Sequence, residues 1–166
     1  MYEGQEYDEV INSPVGFLGI RFDRQELSAL NFLGKKLPNE IFITKKNKNL
    51  SRKLKVILDG YFSNPHDVSQ PETVLAGTEF QKKVWQILSS IKPGNTRTYG
   101  DIARQLGSSP RAVGNACRRN PVPIFIPCHR VVSASGRGGF MGHTSGEPLA
   151  IKGWLLAHEQ KATAGD

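Results

Sequence analysis

The stretch TYGDIARQLGSSPRAVGNACRR, residues 98–119, decides the fold of the second half of the chain. It opens with a short helix predicted from about residue 99 to 106. Thr98 is a suitable N-cap, because its hydroxyl can accept a hydrogen bond from a free backbone N–H of the first turn. Gly107 suits the position just past the helix, which often has a left-handed conformation. These two residues define both ends of the first helix.

A second helix is predicted directly after the first. Ser109 is its expected N-cap, and Pro110 occupies the first helical position, where the missing N–H of proline costs nothing. The helix runs to about Arg119. Two helices joined by the short turn 107–109 are typical of a helix-turn-helix motif.

The second helix has two different faces at about 100° per residue. Arg111, Asn115 and Arg118 lie on one side, and Val113 and Cys117 lie on the other. Small residues fill much of the rest: Ala112, Gly114 and Ala116. Long donors among small side chains suit a helix that approaches DNA closely, because nothing bulky holds the surface away. The alternative is an amphipathic surface helix with an incidental glycine.

The positive charge is concentrated in the second half of the chain. Residues 1–75 carry 10 basic and 10 acidic side chains, whereas residues 76–166 carry 12 basic and 5 acidic ones, which accounts for the whole net charge of +7. From Arg97 to Arg130 the chain contains arginines but no lysine, and Asp101 is the only acidic residue there. Arginine suits bidentate recognition of phosphate. This pattern indicates a nucleic-acid surface, or else a solvated basic surface without a partner.

Residues 1–75 are predicted to form a small α/β domain. Apolar residues at i, i+4, i+7, i+8 and i+11 over 50–61 indicate a helix, which Asn64 and Pro65 end. Residues 63–76 are expected to be a linker, because they are rich in Ser, Pro and Asp. Three short strands are expected before the helix, at 15–22, 27–32 and 41–44.

Residues 76–166 are predicted to form a mainly helical domain. Thr78 and Gln81 have the spacing of a capping box at the start of a helix. Lys92, Pro93 and Gly94 end this helix. Its apolar stripe consists of Phe80, Val84, Ile87, Leu88 and Ile91. The domain therefore contains at least one helix besides the helix-turn-helix.

The two cysteines are predicted to have different roles. Two cysteines make no disulfide framework, so we expect a reducing compartment and free thiols. Cys117 lies on the apolar side of its helix, where a free cysteine acts as a small hydrophobe. Cys128 is followed by His129 and Arg130, and nearby cations lower the pKa of a thiol. Cys128 is therefore a candidate nucleophile, although adjacent side chains of an extended chain point to opposite faces.

The segment NPVPIFIPCHRVV, residues 120–132, resembles the active-site segment of the O6-alkylguanine-DNA alkyltransferases. The resemblance extends over about residues 77–159, while the first 75 residues match only in the order of strands and helix. It implies an α+β protein with an RNase H-like N-terminal domain and a C-terminal domain with a winged-helix or helix-turn-helix motif. It also implies repair of DNA by irreversible transfer of an alkyl group from O6 of guanine to the protein.

The resemblance assigns roles to five residues. Cys128 is the alkyl acceptor, His129 acts on it as a base through a water, and Glu159 orients His129. Asn120 braces the active-site segment. Tyr99 donates a hydrogen bond to N3 of a guanine flipped out of the duplex, which promotes its departure.

The resemblance also implies how DNA and base are held. Arg111 is expected to fill the gap left by the flipped base, with its helix in the minor groove. The other expected DNA contacts are Ala112, Gly114, Asn115 and Arg118. The expected pocket residues are Pro123, Val131, Gly139, Phe140, Met141 and Gly142. The chain departs from the family at Phe140 and His143, and residues 144–148 resemble an insertion, so the range of alkyl groups and any reaction with O4-alkylthymine stay open.

The expected partner is double-stranded DNA containing O6-alkylguanine, bound by a monomer, with cooperativity along DNA left open. No cofactor is expected, and no metal, because residues 1–75 lack the cysteines that hold zinc in some members. The acidic N-terminus has no secretory pattern, and no apolar run is long enough to span a membrane. We therefore expect a cytoplasmic protein, or a nuclear one if the source is eukaryotic.

Three other functions are weighed against this one. Proteins that sense alkylguanine without repairing it replace the reactive cysteine, whereas position 128 is Cys. A cysteine hydrolase needs an oxyanion hole and a route for water, and the sequence shows neither. A zinc site of Cys117, Cys128, His129 and His143 lacks paired ligands at the usual spacing. Each is disfavoured by the residues themselves.

Overall fold

A computed structural model describes residues 4–164 of the chain. The chain divides into two compact units between Leu75 and Ala76. The part before this boundary is called the N-terminal unit and the part after it the C-terminal unit.

The N-terminal unit combines two small sheets with one helix. Strands β2 (Glu9–Ser13), β3 (Gly16–Asp23) and β4 (Glu26–Gly34) form an antiparallel sheet in that order. Strand β1 (Gln5–Tyr7) pairs in parallel with β5 (Ile41–Ile43). Helix α1 (Lys48–Ser63) follows and ends at Asn64. The three predicted strands and the predicted helix are confirmed, with each end within two residues of its predicted position.

Strands β1 and β2 were not predicted from the sequence. Their residues are mostly polar, so no apolar alternation marks them. Tyr7 is nevertheless completely buried, and its ring lies where a side chain on Gly19 would be, since a Cβ there would come within 2.6 Å of the ring. The glycine in β3 thus makes room for the tyrosine of β1.

The expected linker is partly attached to the sheet. Leu27 donates its backbone N–H to the Glu72 carbonyl at 2.8 Å, and its own carbonyl accepts from the Val74 N–H at 3.1 Å. Prolines and serines suggested a free segment. Instead, two backbone groups of this segment form hydrogen bonds with the unpaired edge of β4, so these groups have partners.

The C-terminal unit is mainly helical, as predicted. It contains α2 (Glu79–Ser90), α3 (Tyr99–Leu106), α4 (Pro110–Arg118) and α5 (Glu147–Ala164). Two-residue strands β6 (Arg97–Thr98) and β7 (Val131–Val132) pair in parallel. The capping box at Thr78 is present, and Thr98, Gly107 and Ser109 cap α3 and α4 at the predicted positions. The helix-turn-helix of α3 and α4 is therefore confirmed.

A tryptophan joins α2 to the second helix of the motif. Trp85 is 1% exposed, and its indole N–H donates to the Ala116 carbonyl at 2.9 Å. Val113 of α4 and Leu155 of α5 are completely buried. Because the inner face of α4 is anchored in this way, its outer face is held on a rigid base.

Helix α5 begins earlier than the sequence suggested. The apparent insertion at 144–148 was expected to be a loop, but α5 starts at Glu147. Pro148 is then the second helical residue, a place where proline is tolerated because that N–H has no partner within the helix. Over the described residues, no helix is both long and apolar enough to cross a membrane.

Candidate active site

The C-terminal unit has a cavity of about 340 Å³, and Cys128 forms part of its wall. Four predicted pocket residues line it, namely Gly139, Phe140, Met141 and Gly142. Pro123 and Val131 do not. Both are buried behind it, Pro123 bridged to Ile126 in a tight turn and Val131 paired with Arg97 in the β6–β7 ladder.

Residues 140–143 form a tight turn at the rim of the cavity. The Phe140 N–H donates to the His143 carbonyl at 2.8 Å, and the His143 N–H donates back at 2.9 Å. Met141 and Gly142 both have positive φ, as a two-residue hairpin turn requires. His143 lies in the cavity wall together with Thr144.

Cys128 lies in a single 3-10 turn, Cys128–Arg130, and not in an extended strand. Its side chain is 6% exposed. Burial raises the pKa of the Cys128 thiol, while a hydrogen bond from Asn120 and the charge of Lys152 act in the opposite direction. The expected lowering of the thiol pKa by His129 and Arg130 is wrong, because both of these side chains are engaged elsewhere.

The segment before Cys128 is held by Asn120. Its side-chain amide donates to the Ile126 carbonyl at 2.7 Å, and its oxygen accepts from the Val122 N–H at 3.0 Å. Asn120 is 4% exposed. A buried amide with both ends bonded fixes the loop that presents the thiol.

His129, Arg130 and Glu159 form a buried triad. The His129 Nε2 lies 2.7 Å from Glu159 Oε1, and two Arg130 nitrogens donate to the same carboxylate at 2.8 and 3.0 Å. A third Arg130 nitrogen donates to the Ile91 carbonyl. Arg130 was counted with the nucleic-acid arginines from the sequence, and that assignment is wrong. Its charge neutralises Glu159 inside the protein.

The triad leaves His129 neutral and Glu159 charged at neutral pH. Burial lowers the pKa of His129, and this outweighs the raising influence of Glu159. Burial alone would raise the pKa of Glu159, but the hydrogen bonds from His129 and Arg130 hold it well below its usual range. The His129 Nδ1 is buried, with no hydrogen-bond partner among the described residues. This nitrogen is therefore the one free to accept a proton.

The triad makes the stability of the C-terminal unit sensitive to acid. Both groups bind protons more readily in the unfolded chain, so acidification favours unfolding below pH 6.5 for His129 and below pH 4.5 for Glu159. We expect the free energy of unfolding to fall steadily from pH 7 to pH 4. Urea unfolding followed by tryptophan fluorescence measures it, because Trp85 and Trp154 are the only tryptophans. Constant stability between pH 7 and pH 5 would contradict the neutral buried His129.

Tyr99 lines the same cavity as Cys128. Its hydroxyl donates to the Gly139 carbonyl at 3.3 Å, and Gly138 lies against its ring. Burial raises the pKa of Tyr99 well above its usual range. The hydroxyl therefore keeps its proton and serves as a hydrogen-bond donor.

The outer face of α4 is exposed, as the helical periodicity predicted. Arg111, Asn115 and Arg118 point to solvent. Gly114, Asn115 and Arg118 also line the cavity, so this face and the cavity are continuous. A Cβ on Gly114 would meet nothing within 4 Å. Packing inside the protein therefore does not require a glycine at this position. Ala112 lies beside it, half-buried.

Several residues of the site were not predicted from the sequence, among them Cys117 and Lys152 in addition to His143 and Thr144. Cys117 is buried as predicted but also lines the cavity. Lys152 of α5 is completely buried and donates to the Val131 carbonyl at 2.6 Å and the Gly139 carbonyl at 2.8 Å. A signal for it was present, because Lys152 shares one helical face with Leu155 and Glu159 at the spacing i, i+3, i+7. Within residues 4–164, no group of three metal-ligating side chains lies together.

The chain is similar in sequence to proteins of one known family. Residues 79–161 match the family described as "6-O-methylguanine DNA methyltransferase, DNA binding domain". A methylated-DNA–protein-cysteine methyltransferase of Methanosarcina acetivorans is 38% identical over 156 residues, which cover 92% of this chain and 97% of the relative.

Two solved structures from Mycobacterium tuberculosis have the same fold. An O6-methylguanine methyltransferase matches with a TM-score of 0.74 and 32% identity over 95% of this chain and 97% of the other. A structure of OGT in complex with DNA matches with a TM-score of 0.76 and 33% identity over 95% and 94%. These matches cover both units of the chain.

Proposed function

The chain belongs to the methylated-DNA–protein-cysteine methyltransferase family, and from this premise we propose that Cys128 is the cysteine that takes the alkyl group. The protein is a DNA repair enzyme that transfers alkyl groups from damaged DNA to itself. The observation that carries the assignment of Cys128 is its place in the wall of a cavity that opens onto the exposed face of α4. Cys117 lines the same cavity, so the two thiols must be distinguished by experiment.

The proposed reaction is a direct displacement at the alkyl carbon. A bond forms between the Cys128 sulfur and this carbon while the bond from the carbon to O6 breaks. The electron pair of the broken bond stays with guanine, which takes up a proton. The thioether is not hydrolysed, so each molecule reacts once and needs no cofactor.

His129 is the proposed base for the thiol. It is neutral at neutral pH, and its Nδ1 is free because Nε2 is held by Glu159. The thiol proton passes through a water to Nδ1, and the resulting imidazolium is stabilised by the Glu159 carboxylate. This relay makes a thiolate available despite the burial that raises the pKa of Cys128.

The outer face of α4 is the proposed DNA surface. O6 of guanine lies within the base-paired stack, so the nucleotide must rotate out of the duplex before sulfur can reach it. We propose that Arg111 enters the base stack and that Ala112, Gly114, Asn115 and Arg118 contact the minor groove. Tyr99 donates to N3 of the rotated guanine, which makes guanine a better leaving group.

We expect Arg111→Ala to slow repair of duplex DNA by about tenfold or more and to leave reaction with a free O6-alkylguanine base unchanged. The free base needs no rotation out of a stack, so it does not use the arginine. Rates with both substrates measure the difference. Lys83→Ala is the matched control, because it removes an exposed positive charge from α2. Equal losses on both substrates would contradict the role of Arg111.

The two units of the chain are proposed to have different roles. We propose that the C-terminal unit supplies both the DNA surface and the acceptor thiol, and that the protein acts as a monomer with residues 1–75 as a separate domain. Two free thiols suit a reducing compartment, so we propose the cytoplasm, or the nucleus in a eukaryote. Incubation with duplex DNA containing O6-methylguanine, followed by peptide mapping, tests whether the methyl group reaches Cys128.

A further inference from the structure

The Gly139 carbonyl at the cavity wall accepts two hydrogen bonds. The Lys152 ammonium donates to it at 2.8 Å and the Tyr99 hydroxyl at 3.3 Å. The same ammonium donates to the Val131 carbonyl at 2.6 Å and lies 5.8 Å from the centre of the Tyr99 ring. One buried cation thus contacts the active-site strand β7, the cavity wall and the aromatic ring at once.

We propose that Lys152 is a positioning residue that holds the Gly139 carbonyl and thereby frees the Tyr99 hydroxyl to donate to the departing guanine. This inference rests on the proposed function. The hydroxyl cannot serve Gly139 and a substrate fully at the same time. When it turns to the substrate, Lys152 keeps the carbonyl satisfied, so the turn leaves no unpaired polar group in the wall.

The placement of Lys152 also adds a positive charge beside the thiols. Over the described residues, no carboxylate lies within salt-bridge distance of Lys152. Burial lowers the pKa of Lys152 to about 8, so it is largely protonated at neutral pH, and the thiols act to raise that pKa. The charge lowers the pKa of Cys128, Cys117 and His129.

The titratable groups that face Lys152 come from three elements. They are Tyr99 of α3, Cys117 of α4, and Cys128 and His129 of the 3-10 turn. Removing the charge therefore raises the pKa of both the acceptor thiol and its base. We expect the pH–rate profile of alkyl transfer to shift to higher pH in Lys152→Met and to stay in place in Lys152→Arg. A lysine that only supported the fold would not move this profile.

A double-mutant cycle tests the link to Tyr99. The rate of alkyl transfer from free O6-benzylguanine is measured for the full-length protein, Tyr99→Phe, Lys152→Met and the double variant. We expect Tyr99→Phe to slow transfer by about tenfold or more when Lys152 is present, and by less than about twofold when position 152 is Met. Without the lysine, the hydroxyl stays on Gly139 and contributes little to the reaction.

The possible results distinguish a failure of the proposal for Lys152 from a failure of the proposed function. An equal loss from Tyr99→Phe in both backgrounds would overturn the proposal for Lys152. Absence of transfer from duplex DNA containing O6-methylguanine in the unchanged protein would instead overturn the proposed function. If only the benzyl group is refused, the same cycle is measured with the free O6-methylguanine base. If Lys152→Met fails to fold, Lys152→Gln and Lys152→Arg replace it. The glutamine variant keeps a hydrogen-bond donor but lacks the positive charge. We therefore expect Tyr99→Phe still to slow transfer in this variant, while the pH–rate profile shifts to higher pH. A variant in which the Tyr99 effect and the pH–rate profile are both unchanged would overturn the proposal.

Discussion

Replacement of Cys128 by alanine or serine is expected to abolish alkyl transfer while binding to DNA survives. In the proposed reaction the Cys128 sulfur keeps the alkyl group, so both variants lack the atom that forms the product. In other enzymes, loss of the covalent nucleophile lowers the reaction rate by about a millionfold. The proposed DNA surface of α4 is built from different residues, and the buried side chain of Cys128 is not among them.

Cys117→Ala is the matched control for this prediction. Both cysteines are buried, both line the same cavity, and burial raises the pKa of both thiols, that of Cys117 well above its usual range. Cys117 lies within α4, whereas Cys128 is followed by His129, the proposed base. We expect transfer to persist in Cys117→Ala. Transfer that survives in Cys128→Ala and disappears in Cys117→Ala would show that the acceptor has been assigned to the wrong cysteine.

Glu159→Gln is expected to have the second largest effect, on both stability and rate. The substitution keeps the shape of the side chain but leaves Arg130 buried without its counter-charge, which costs about 3–5 kcal/mol. A glutamine amide can also donate to His129 Nε2 and so place the ring proton on Nδ1, the nitrogen needed as base. A wrong histidine tautomer costs up to about 10⁴-fold in related catalytic arrangements, and we expect at least about a hundredfold here.

Glu147→Gln is the matched control for this change. Glu147 lies at the start of the same helix, α5, but is exposed. Urea unfolding followed by tryptophan fluorescence gives the stability, and single-turnover transfer from a free O6-alkylguanine base gives the rate. Unchanged stability in Glu159→Gln would show that Arg130 does not depend on the carboxylate. A normal rate in a folded variant would remove Glu159 from the mechanism.

Local signals in the sequence predicted the helix-turn-helix closely. Caps act within a single turn of helix, so Thr98, Gly107 and Ser109 mark the ends of α3 and α4 wherever these helices pack. The two faces of α4 follow equally from a period of 3.6 residues. The first two strands could not be found in this way. Their register comes from pairing with β3 and β5, which no local pattern records.

The electrostatic partners of the site were also beyond local reasoning. His129 and Arg130 stand beside Cys128 in sequence, which suggested that they act on the thiol together. The 3-10 turn sends both side chains to Glu159, some thirty residues later in the chain. Lys152 was overlooked because a lysine is almost always exposed unless partners bury it. Its partners are backbone carbonyls, which no residue type identifies.

The most direct test of the account is the mass of the intact protein after incubation with excess duplex DNA that contains one O6-methylguanine, followed by peptide mapping. We predict a gain of one methyl group per molecule, located on the peptide that contains Cys128, with reaction ceasing at one equivalent. A methyl group on any other residue, or continued removal of methyl groups beyond one equivalent, would contradict irreversible transfer to Cys128.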